Sequence, residues 1–180
     1  MKALSREQLD NLLSVARQHS ETDYLMLLVT FQHGLRVSET LSLTKENIAN
    51  GYISVARGKG SRPCQHPLLA NERQPLEKLA AGSKGRLFPI SRVTFWRRMQ
   101  QYGAKAGLPE FLCHPHSLKH STGRLGFVGG MTVPDLVEYL GHVNPANSLI
   151  YAQSDAATAS AAFAAAISPA VKSAAAGGRE

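Results

Sequence analysis

Long apolar runs are missing from this chain. The stretch richest in large apolar side chains, Tyr24 to Phe31, is interrupted by Thr30 and falls far short of the roughly 20 apolar residues that span a bilayer as a helix. It reads as a buried core helix. Cysteine is scarce: Cys64 and Cys113 are the only two, too few and too far apart for a disulfide framework or a thiolate metal cluster, which points to a reducing, cytoplasmic setting. No HExxH or CxxC spacing accompanies the histidines, so the sequence predicts no metal site. Negative charge is also short. Against 13 Asp and Glu stand 20 Lys and Arg, a formal charge of +7, and the last 27 residues hold two charges of each sign, so the excess lies on the preceding part. With a pI near 9.7, this composition suits a polyanionic partner without identifying one.

What is present is mostly helical patterning in a length suited to one domain. Ser5 and Gln8 form a capping box, and Leu9, Leu12, Leu13 and Ala16 repeat at helical spacing, predicting a helix over 5–19. A core helix over 22–33 ends at Gly34, and a short helix runs through Leu43. Ile53 and Val55 alternate with polar neighbours around Gly58-Lys59-Gly60, so residues 51–68 read as a small β-hairpin whose return strand Pro63 confines to an edge. Helices follow over 71–80 and 91–106, the latter with an apolar stripe of Val93, Trp96 and Met99 and with Arg92, Arg97, Arg98 and Lys105 outside it. Pro115 opens a helix to Val128, Thr132 and Asp135 cap another to Leu140, and Pro145 starts a short one through Tyr151. The fold class is therefore mostly α with a small antiparallel β-hairpin. Residues 1–153 form the domain and 154–180 an Ala-rich tail, with 12 Ala in 27 residues, expected to hold one short helix over 156–167 and a loose end.

Cationic and imidazole groups cluster in glycine-punctuated segments: Arg36 in HGLRVSE, Lys59 in RGKGSR, His116 and Lys119 in HPHSLKH, and His142 in YLGHVNP. Such groups suit a phosphate. His116 and Lys119 stand three apart on one helix face, as do Arg36 and Glu39, so each pair can present two donors or a donor with its orienting carboxylate. Taken singly, each has an ordinary structural explanation: Arg36 pairing Glu39 at a helix start, Lys59 solvated in a turn, His142 capping a helix end, Tyr151 filling a core.

Their order carries more. The series HGLRVSETLSL, RGKGSR, PHSLKHSTG and LGHVNPANSLIYAQ resembles the boxes of the tyrosine recombinase (phage integrase) catalytic domain, from about Leu4 to Gln153. The resemblance implies that fold and a site-specific DNA recombinase. Arg36 would be the first arginine with Glu39 as its acidic companion, Lys59 the hairpin lysine, and His116 the histidine of the His-x-x-Arg pair. His120 would be its structural neighbour, His142 the late histidine and Tyr151 the nucleophile. It further implies attack by Tyr151 on a DNA phosphodiester to give a 3′-phosphotyrosyl bond, with Arg36 on the nonbridging oxygens and Lys59 protonating the leaving 5′-oxygen. His116 would act on the tyrosine proton or orient the phosphate, and His142 would be a further donor. No cofactor is implied. The partners implied are double-stranded DNA and other copies of the chain, as a tetramer on DNA, with no membrane and a cytoplasmic, nucleoid-associated location. Arg57, Arg62, Arg92, Arg97 and Arg98 are the expected DNA contacts.

Two departures stand out. Lys119 occupies the second-arginine position, and the boxes begin without an N-terminal DNA-binding domain ahead of them, as expected either of an excised catalytic domain or, slightly preferred, of a naturally short chain. Lysine keeps the charge but loses the planar fork that holds two phosphate oxygens. Arg124 lies five residues further along the same helix on a different face and is set aside as a substitute. Lys119 leaves open a recombinase-derived DNA-binding protein with impaired cleavage. A type IB topoisomerase shares the tyrosine chemistry, but the small size and the boxes argue against it.

Overall fold

A computed structural model describes residues 3–58 and 61–152. Lys59 and the expected helix over 156–167 lie outside the described residues. Eight α-helices and three short strands are present among those described: α1 (Arg6–His19), α2 (Glu21–Gln32), α3 (Val37–Ser42), β1 (Ile48–Ala49), β2 (Tyr52–Val55), β3 (Cys64–Pro67), α4 (Arg73–Gly82), α5 (Arg92–Lys105), α6 (Pro115–Val128), α7 (Val133–Leu140) and α8 (Ala146–Leu149). No helix among them is long and apolar enough to cross a membrane.

Ser5 caps α1 through the full capping box, and Leu9, Leu12, Leu13 and Ala16 are buried against α2. Ser20 caps α2, whose Leu25 to Thr30 are all buried because α1 covers one side and α6 another. This is the centre of the core, as its apolar sequence predicts. α5 packs on α1 through Phe95, Met99 and Tyr102. The expected stripe needs correction: Val93 and Trp96 are 57% and 46% exposed. Val93-Trp96-Met99 and Phe95-Met99-Tyr102 are overlapping helical faces that share Met99, and periodicity alone does not choose between them. The choice falls on the second face because Tyr102 reaches the buried Asp23 of α2.

The sheet has one more strand than expected, in the order β1-β2-β3 and antiparallel throughout. Ala49 pairs with Tyr52 across Asn50-Gly51, both at positive φ (54° and 77°), as the two-residue turn favoured by Asn-Gly demands. β3 starts just after Pro63 and stays at an edge. A second small cluster of Leu136, Leu140 and Tyr151 holds the end of the chain's described part against α6. α8 stops at Leu149, two residues short of Tyr151.

Candidate active site

Four segments converge on one cleft of about 820 Å³, whose walls include Arg36, Arg92, Trp96, His116, His120 and Ile150. The chain leaves α2, turns at His33-Gly34, buries Leu35, and sets Arg36 in extended backbone at the start of α3. The Arg36 backbone N–H donates to Glu39 Oε2 at 2.8 Å, and its guanidinium donates to Glu39 Oε1 at 2.8 Å and Ser61 Oγ at 2.9 Å. About a third of the Arg36 side chain remains open to solvent (35%). Burial alone would raise the Glu39 pKa, but the Arg36 hydrogen bonds and the charges of Arg57 and Lys119 hold it below the usual carboxylate range. Glu39 is thus an anchoring anion.

α6 contributes three side chains. His116 and His120 sit one turn apart with their rings edge-on, centroids 4.5 Å apart. Both have lowered pKa values, first from burial and then from neighbouring positive groups, so both are neutral near pH 7. His120 Nδ1 lies 3.4 Å from Tyr151 Oη; the resemblance implied that His116 acts on the tyrosine proton or orients the phosphate. Lys119 is buried and turned inward, its Nζ donating to the Gly34 carbonyl at 2.5 Å. Burial, with help from Arg57 and Arg36 and against the pull of Glu39, lowers its pKa to about 7. The structure therefore brings Lys119 beside Arg36 and Glu39 but not to the cleft wall.

His142 follows the left-handed Gly141 that ends α7. It is buried, its Nδ1 is 2.8 Å from Ser148 Oγ, its backbone bridges that of Ser61, and its pKa falls to about 4, through burial first and then the charges of Lys119, Arg36 and Arg57. Tyr151 is 2% exposed and its hydroxyl pKa is raised by burial. Its ring lies close against Gly123: a Cβ there would meet ring carbons at 2.4 Å, so only glycine admits the tyrosine in this position. Arg124, set aside from the sequence, donates to the Tyr151 carbonyl at 3.4 Å and steadies that segment.

Of the expected DNA contacts, Arg62, Arg92 and Arg97 are exposed. Arg98 is half-buried and paired with Asp23. Arg57 is the clearest correction: its side chain is wholly buried and its guanidinium is taken up by protein acceptors, so it has nothing to offer a DNA strand. Sequence reasoning also missed Ser61, a hydroxyl partner of Arg36, and a buried polar chain behind the site. In that chain Glu72 Oε1 accepts from His33 Nε2 at 2.8 Å, His33 and His66 share a bond between Nδ1 atoms at 3.2 Å, and His66 stacks on Tyr139. The only signal for either was proximity to the motifs. Among the described residues no group of three metal-ligating side chains comes together.

Residues 2–158 match the model of the phage integrase family. Tyrosine recombinase XerA of Thermococcus kodakarensis is 34% identical over 164 residues, covering 83% of this chain and 57% of that protein. The chain thus spans little more than half the length of that curated relative. Among solved structures, XerH recombinase bound to its difH substrate in a pre-cleavage complex superposes with a TM-score of 0.70 at 21% identity, covering 91% of this chain and 53% of that one. The catalytic domain of bacteriophage HP1 integrase superposes with a TM-score of 0.67 at 20% identity, covering 94% and 96%.

Proposed function

The chain belongs to the phage integrase family, and from that premise we propose that its residues 1–153 cut and rejoin double-stranded DNA at a specific site through a 3′-phosphotyrosyl intermediate. The observation that carries the reading is that Arg36, His116 and His120 line one cleft while Tyr151 Oη stands 3.4 Å from His120 Nδ1 and His142 is bridged to Ser61, the hydroxyl partner of Arg36. Tyr151 Oη attacks the phosphorus and passes its proton to the neutral His120. The bond to the 5′-oxygen breaks, and Lys59 supplies the proton that the leaving alkoxide needs. Arg36, held by Glu39 and Ser61, neutralises charge developing on the nonbridging oxygens. The tyrosyl phosphodiester conserves the bond energy, so a 5′-hydroxyl from a partner strand reverses the step without ATP. On DNA the working unit is a tetramer of this chain, in the cytoplasm at the nucleoid.

One observation favours the second reading, a DNA-binding relative with impaired cleavage: the Lys119 ammonium faces the Gly34 carbonyl, not the cleft. A nicked suicide substrate separates the two. The wild-type protein should form a covalent adduct, and Tyr151→Phe should form none while binding DNA within a few fold. Binding without adduct in the wild type would establish the second reading; adduct formation by the Phe variant would remove Tyr151 from the chemistry.

A further inference from the structure

Arg57 leaves the end of β2 and runs inward beneath the cleft. Each of its five N–H groups has an acceptor: Nε donates to Cys64 Sγ at 3.1 Å, one terminal nitrogen to the Gly34 carbonyl at 3.0 Å and Glu39 Oε2 at 3.4 Å, and the other to the His33 carbonyl at 3.0 Å and the Tyr139 carbonyl at 3.1 Å. Four of these acceptor residues belong to three pieces of chain. His33 and Gly34 form the turn that presents Arg36 two residues later; Tyr139 lies in the last turn of α7, three residues before His142; Cys64 opens β3, next to the Ser61 and Arg62 backbone that bridges to His142 and Gly141. A planar fork with fixed donor directions can set the angles among such pieces, whereas an ammonium on one nitrogen cannot reach acceptors so dispersed. Glu39 completes the link, since the oxygen that takes Arg57 also takes the Arg36 backbone N–H.

We propose that Arg57 is a positioning residue that locks the Arg36 turn and the His142 end of α7 onto the hairpin, acting through Glu39 and the three carbonyls and touching no DNA itself. It rests on the role given to Arg36 above and assigns to the hairpin a task beyond carrying its lysine. Because the guanidinium has no open face, Arg57 governs the rate of the chemical step and not the grip on DNA.

The test uses the full chain and a matched suicide duplex, with Arg57→Lys as the variant because it keeps the charge and removes the fork. Single-turnover cleavage should fall about 10- to 100-fold, the usual range for losing a partner that orients a directly acting group, while DNA affinity and its salt dependence stay as in wild type. The same duplex is then made with a methylphosphonate at the scissile position, whose missing negative oxygen no longer calls for an arginine. There the deficit of Arg57→Lys should shrink to a few fold, in parallel with that of Arg36→Ala. A wild-type rate for Arg57→Lys, or a weakened and less salt-dependent affinity, overturns the proposal. So does a deficit equal on both substrates while that of Arg36→Ala shrinks, because general damage to the fold would do that. If Arg36→Ala itself shows no shrinkage, the role of Arg36 fails first and this inference with it. Should Arg57→Lys not fold, as judged by circular dichroism, Arg57→Gln is read by the same criteria, its planar amide still serving two of the carbonyls.

Discussion

Replacing Lys119 by Met should make the protein more stable and less able to cut DNA, and the first effect can be sized from where the ammonium lies. Lys119 is 4% exposed. Burial, seconded by the like charges of Arg57 and Arg36 and opposed by Glu39, takes its pKa from 10.5 to about 7. At about 1.4 kcal/mol per pH unit, that fall amounts to roughly 5 kcal/mol of destabilisation when the ammonium stays charged in the folded state. Between about pH 7 and 10.5 the unfolded chain holds this proton and the folded chain releases it, so stability rises with pH across that window. Below about pH 7 both states are charged and the penalty is complete. Methionine has similar length and no charge, and forfeits the bond to the Gly34 carbonyl, worth about 1 kcal/mol. Lys119→Met should therefore exceed wild type by roughly 4 kcal/mol at pH 6, with the advantage gone near pH 10. Urea denaturation at pH 6, 8 and 10, followed by circular dichroism, measures this. A variant less stable than wild type at pH 6, or a difference that does not change with pH, refutes the reasoning. Adduct formation by the same variant should fall by about tenfold, because the Lys119 ammonium holds the Gly34 carbonyl in the turn that presents Arg36.

With the Lys119 pKa lowered to about 7, single-turnover cleavage by wild type should decline between about pH 7 and 9, and Lys119→Arg, which does not titrate there, should abolish that decline; an unchanged alkaline limb would assign it to another group. Gly123→Ala places a Cβ 2.4 Å from Tyr151 ring carbons, so the ring must move, and covalent adduct should drop by about tenfold or more while gel-shift affinity holds within a few fold. An alanine variant with full activity would show that the tyrosine reacts from a different position. Alanine at Arg62, Arg92 and Arg97, all exposed, should flatten the slope of log K against log salt by about 0.9 for each phosphate that is no longer neutralised, and an identical slope would return these residues to plain solvent.

The helices were legible where side chains punctuate them. α6 is framed by Pro115 and Gly129, and α7 by the Thr132-Asp135 box and Gly141, features that act locally and therefore appear in the sequence. β1 was missed although Asn50-Gly51 stood in view, because two residues offer no alternation to read. Trp96 was misread because two helical faces overlap on α5, and which one is buried depends on Asp23, far away in sequence. The site residues could be ordered along the chain from their boxes, but not their distances: nothing in HPHSLKH says that His120, not His116, lies beside the tyrosine hydroxyl. Arg57 was the hardest case. An arginine at the mouth of a glycine-rich hairpin looks exposed, and three of the acceptors that draw it inward are backbone carbonyls, which carry no side-chain signature.

One of those carbonyls also connects Arg57 with Lys119. Gly34 accepts from Lys119 on one side and from Arg57 on the other, so the cation at the second-arginine position and the guanidinium from the hairpin meet on one oxygen. An ammonium needs only a single lone pair and leaves Gly34 able to take the fork as well; a second guanidinium would have to share the same small space. Among the described residues Glu39 is the one carboxylate that contacts Arg36 and Arg57, and one anion does not neutralise these two arginines together with Lys119. The surplus is felt as lowered pKa values at His116, His120, His142 and Lys119, where burial acts first and positive neighbours add to it. A site so arranged keeps its histidines neutral and able to accept protons, and the charge that would balance it is that of a phosphodiester entering the cleft.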